Sequence, residues 1–219
     1  MSNQHGNFHN SGASSLGSDI SEDGQKGNIA ATNIQNTVSD TKEGYKKKET
    51  VLSQSANWNK EANSLQLTNA NVDKSHTKDD KGEKLEQSSG SSATNQNKFG
   101  TGQSSAGTNT VDYIENGVKG QKINSQSQAT QINKDGSTSN AHSHAGTNTI
   151  KNPDGTEVTE SKAGSSSVNH GQNGSSGSSA GCNAGGVNQG PGFSSSFSSS
   201  SSSSFTNANG QTVSQSGSD

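Results

Sequence analysis

The chain has 219 residues, with sixteen Lys and no Arg, nineteen acidic residues and a formal net charge of −3. Leu, Ile, Val and Phe together number 26, about 12%, below the roughly 20% at which a chain is read as disordered. Ordering a residue costs about 1–2 kcal/mol of backbone entropy and apolar burial contributes only about 25 cal/mol per Å², so a conventional core is excluded and a mostly intrinsically disordered, low-complexity chain is expected.

Three zones follow in chain order. Residues 1–36 form a polar, disordered lead. Its first residues, Met1 to Gly6, lack the charged and apolar regions of a secretory signal. Read literally the chain is not routed for export; read as a fragment it has lost an upstream exon.

Residues 37–162 hold most of the charge and the clearest repeats. Ala-Gly-Thr-Asn-Thr occurs at Ala106–Thr110 and again at Ala145–Thr149, each copy followed by an aliphatic residue, Val111 or Ile150. Turn dipeptides follow at Asn116-Gly117 and Asp154-Gly155, with Asp135-Gly136 midway, so the three glycines are 19 residues apart. The same ruler meets Gly24, Gly44, Asn63, Gly82 and Gly100 on one side and Asn173-Gly174, Pro191-Gly192 and Asn209-Gly210 on the other. Asn-Gly and Asp-Gly supply the positive φ that two-residue hairpin turns need. Alternating small polar stretches such as Ser125-Gln126-Ser127-Gln128 fit strands of period two. The expectation is therefore short polar strand–turn repeats of about 19 residues, weakly specified in register because both faces are small and polar. Lys42–Glu49 and Lys78–Gln87 are the segments with some helical character, although neither has an apolar stripe.

Residues 163–219 form an uncharged Gly/Ser-rich tail apart from the terminal Asp219, with a serine run from Ser194 to Ser204 broken only by Phe197. Such tracts behave as flexible coil. Cys182, the only cysteine, is a candidate for an intermolecular disulfide. Asn173, in Asn173-Gly174-Ser175, is a candidate N-glycosylation acceptor if the chain is exported.

Several function classes fall away. Without Arg the chain lacks the preferred fork for phosphates and base edges, and its slight acidity gives no pull toward nucleic acid. Lys46, Lys47 and Lys48 are flanked by Glu43 and Glu49 and read as a solvated charge run. No stretch approaches the roughly 20 apolar residues of a membrane span. His142 and His144 would share a strand face, but two imidazoles make only a weak metal site. The serines have no scaffold to hold a base and an orienting acid. No Gly-Lys-Ser/Thr phosphate loop and no spaced calcium ligands are present. The expectation is a non-enzyme with no cofactor, no metal and no small-molecule substrate.

Units such as Ile132-Asn133-Lys134-Asp135-Gly136-Ser137 and Ile150-Lys151-Asn152-Pro153-Asp154-Gly155-Thr156, with Asn57-Trp58-Asn59 and the Ser-rich tail, resemble insect silk-gland sericins and related cocoon glue proteins from about residue 37 onward. The absence of Arg and the presence of only two Tyr, Tyr45 and Tyr113, depart from that pattern. The resemblance implies a secreted coat that glues fibres and partners itself or other silk and matrix proteins. The alternatives are a cytoplasmic hydrophilic desiccation protectant and a disordered interaction segment switched by phosphorylation.

Overall fold

The computed structural model describes residues 6–171, 174–189, 194–207 and 212–218, with side chains placed up to Ser204. Twelve strands follow one another: β1 (Asn7–Ile20), β2 (Lys26–Thr41), β3 (Gly44–Asn59), β4 (Ser64–Lys78), β5 (Gly82–Asn97), β6 (Gly100–Glu115), β7 (Val118–Asn133), β8 (Thr138–Lys151), β9 (Glu157–Gly171), β10 (Gly174–Asn188), β11 (Ser194–Asn207) and β12 (Thr212–Ser218). They form one antiparallel sheet in which spatial order equals chain order. It is a meander of hairpins with β1 and β12 as its edges.

This corrects the expectation of a mostly disordered, low-complexity chain. The strands are also long: β1 to β11 run 14 to 16 residues, and only β12 is shorter, at 7. The expected lead carries β1 and the start of β2, and the expected tail carries the end of β9 with β10, β11 and β12. Lys42–Glu49 turns into β3 and Lys78–Gln87 into β5, with no helix among the described residues. Composition records only side-chain burial against chain entropy. Here the opposing term is the backbone ladder, in which facing residues exchange N–H···O=C bonds, each worth about 0.5–1.5 kcal/mol net. A meander closes every pairing through a short loop, so little loop entropy opposes it.

No described apolar side chain is buried, and no second layer covers either face. Register is nonetheless defined. Ser15 faces Thr32, and the same rung continues through Ser53, Ala70, Ser91 and Ala106 to Ser127, Ser143, Ser165, Ala180 and Ser202. Side chains alternate along a strand, so the rungs through Ala13, Ser15 and Gly17 share one face. The rungs through Ser14, Leu16 and Ile20 share the other.

Candidate interaction surfaces

Turn chemistry sets the register. Asn116 (φ 49°) and Gly117 (φ 82°) are the two residues between the paired Glu115 and Val118, a type I′ connection. The Asp-Gly turns differ from the two-residue form expected of them. At β7–β8, Gly136 N–H donates to Asn133 O at 3.0 Å, Asn133 N–H donates to Ser137 O at 2.9 Å, and only Gly136 (φ 82°) has positive φ. The β8–β9 turn repeats this with Gly155 N–H on Asn152 O, Asn152 N–H on Thr156 O, and Gly155 at φ 87°. At β1–β2, Gly24 N–H likewise donates to Ser21 O, but Ser21 N–H donates to Lys26 O, so this loop is one residue longer. These are type I turns completed by a left-handed glycine. The aspartate serves as an acceptor within the loop. Asp135 Oδ1 takes Ser137 Oγ–H at 2.6 Å and Ser137 N–H at 2.9 Å, and Asp154 Oδ1 takes Thr156 N–H at 2.8 Å. Those bonds hold both carboxyls below the usual carboxylate range, the Ser137 hydroxyl leading for Asp135 and the Thr156 backbone for Asp154.

The face through Ser15 is small and uncharged along its three middle rungs, those of Ala13, Ser15 and Gly17. Its aliphatic members Ile34, Val51 and Val72 cluster on β2, β3 and β4. Two shallow grooves of about 860 and 930 Å³ run along it, one past Thr32, Ser55, Ala70 and Ala93, the other past Ala106, Ala145, Ala163 and Cys182. Hydroxyls pair across strands within this band: Ser55 with Thr68 at 2.6 Å, Ser127 with Ser143 at 2.7 Å and Ser167 with Ser178 at 3.0 Å. Charge collects toward one end of the face, where the His76 ring meets Glu83 Oε1 at 2.7 Å and stands edge-on to Tyr45.

The opposite face carries most of the aromatic rings, and four of them lie over glycines directly across the ladder. Trp58 covers Gly27, Tyr113 covers Gly120, His144 covers Gly164 and Phe197 covers Gly185. A Cβ added at any of these glycines would collide with the ring. Gly120 is accordingly the one buried residue among those described. The sequence reading missed these pairs. Their signal is the turn itself, since Tyr113 and Gly120 stand equally far outside Asn116-Gly117.

Cys182 is exposed on β10, between Ala163 and Ser200 on the small face. Asn173 lies outside the described residues. His142 and His144 share the aromatic face with ring centroids 5.8 Å apart, and no group of three or more metal-ligating side chains gathers among the described residues. Lys46 and Lys48 point to the aromatic face, while Lys47 pairs with Glu49 at 2.9 Å on the other, so the lysine run forms no single basic patch. Both partners of that pair face solvent, which screens their attraction. Compared with models of known families, with curated proteins and with solved structures, the chain matches none.

Proposed function

We propose that this chain is a non-catalytic structural protein of a secreted silk, glue or extracellular matrix, and that it works by weak multivalent self-association. The observation that carries the reading is a twelve-stranded single-layer sheet with two edges, both faces open and no buried apolar side chain among the described residues. A sheet gains independent stability from a packed face or from more strands, and further copies of the same chain supply both. Unpaired strand edges add main-chain hydrogen bonds to a partner. A face of Ser, Ala, Gly and Thr lets a second sheet approach closely, with hydroxyls at hand for many weak contacts. Each such bond contributes about 0.5–1.5 kcal/mol net and water competes for it, which suits an adhesive that softens when wetted.

Sedimentation velocity over a wide concentration range tests this directly, with far-UV circular dichroism on the same samples. Mass should climb with concentration while the β signal persists or strengthens. A monomer of constant mass up to the solubility limit rules the proposal out.

A further inference from the structure

We propose that β1 is a homodimerisation strand, pairing antiparallel with β1 of a second copy about a two-fold axis through Ser14. The inference rests on the self-association reading and gives it a partner, a strand and a register.

β1 is an edge strand of 14 residues, and every one of them is exposed. Edge strands are ordinarily blunted by Lys, Pro, a bulge or short length. β1 has no Lys and no Pro, pairs without interruption from Asn7 to Ile20, and carries a single formal charge, at Asp19. It also bears Phe8, Leu16 and Ile20, exposed by 69%, 76% and 49%; Leu16 is the most exposed large apolar residue among those described.

Two constraints select the register. Ser21 N–H donates to Lys26 O, so Ser21 directs its backbone groups toward β2. Backbone direction alternates along an antiparallel strand, so odd-numbered residues of β1 face β2 and even-numbered ones from Phe8 to Ile20 face outward. A two-fold axis normal to the sheet must therefore bring even residues opposite even residues. The pairing that maximises overlap from Phe8 to Ile20 puts Ser14 opposite its own copy. Phe8 then faces Ile20, Leu16 faces Gly12, and His9 faces Asp19, each contact occurring twice. Apolar residues meet apolar or glycine, and the carboxylate meets the imidazole. Shifting the centre to Ala13 breaks all three pairs, leaving Phe8 against Ser18, Leu16 against Asn10 and His9 against Gly17. Pairing with β12 instead would match a seven-residue strand to a fourteen-residue one and leave half of the outward groups on β1 unpaired.

The test uses the full chain. In a Cys182→Ser background, Ser14→Cys places two thiols on a hydrogen-bonded pair with Cα atoms about 5.5 Å apart, suited to a disulfide. Leu16→Cys in the same background puts them about 14 Å apart, since the two copies are offset by four residues along the strand. Oxidation should therefore join Ser14→Cys chains at least about tenfold faster than Leu16→Cys chains. Separately, Leu16→Pro removes an outward N–H and costs the β1–β2 ladder nothing. It should weaken dimerisation by at least about tenfold in sedimentation equilibrium with an unchanged far-UV spectrum. Equal cross-linking of the two thiol variants overturns the proposal. So does a folded Leu16→Pro chain that still dimerises fully. In either case persisting oligomers show that self-association uses another surface, whereas a wild-type chain that never associates overturns the broader reading as well. Should Leu16→Pro fail to fold, the ratio of cross-linking rates decides alone.

Discussion

At the residue scale, turn chemistry does the work that a core does elsewhere. Asp23, Asp135 and Asp154 each accept hydrogen bonds inside a loop, and all three carboxyls titrate below their ordinary value. For Asp23 the Gln25 backbone N–H leads, followed by the Ser21 hydroxyl. A depressed carboxyl stabilises the folded state fully above its unfolded value, near 3.9, and loses that contribution as pH falls through the lowered folded value. The amides of Gln25, Ser137 and Thr156 should therefore keep their exchange protection at pH 6 and lose it first on acidification below about pH 4. Amide exchange by NMR across that window checks the order of loss. Gly117 makes the complementary case, because its φ of 82° penalises any residue with a Cβ. Gly117→Val should destabilise the β6–β7 hairpin by about 1–2 kcal/mol, read from the urea midpoint, whereas Gly102→Val, on a strand with open space around it, should cost less. These turns were legible in the sequence as Asn-Gly and Asp-Gly dipeptides. The type was not legible for the Asp-Gly pairs, because the choice between a two-residue turn and a type I turn with a left-handed glycine depends on where the flanking strands begin to pair.

At the scale of the element, the question is how strands of nearly uniform small residues keep one register. A one-residue slip moves every side chain to the other face, and β11 is close to a homopolymer of serine opposite mostly Gly, Ala and Ser on β10. Phe197 over Gly185 breaks that degeneracy, since the ring fits only where the partner lacks a Cβ. Trp58 over Gly27 does the same for β2–β3, with the indole N–H donating to Gly24 O at 3.4 Å. Phe197→Ser should leave the strand content intact while hydrogen exchange of Ser198–Ser204 quickens several-fold as β11 samples neighbouring registers. Unchanged exchange would mean that the ring does not hold the register. The alternation of Ser125-Gln126-Ser127-Gln128 was readable as strand. The expected helical character of Lys42–Glu49 was not upheld, because Lys46, Lys47 and Lys48 project alternately to two solvated faces and a lysine run is as well hydrated on a strand as on a helix.

At the scale of the molecule, each strand touches only its neighbours in the chain, so the sheet is held together pair by pair, as in a repeat protein. Cooperativity over such an array is limited. Trp58, the single tryptophan, lies on β3 near one edge and reports its own neighbourhood. Its fluorescence should change at a lower urea concentration than the far-UV signal, which averages over all strands; coincident transitions would show that the sheet unfolds as one unit.

The amino-acid sequence by itself determined that this protein has too few apolar residues to fill a core. It also determined where the chain reverses, because left-handed backbone selects Gly and Asn locally. Only the tertiary structure decided that the intervening segments are ordered, since strand pairing is a non-local exchange of backbone hydrogen bonds that composition does not record. It alone placed Gly27 under Trp58 and Gly120 under Tyr113, gathered the small residues onto one face, and left β1 with its outward backbone groups unpaired.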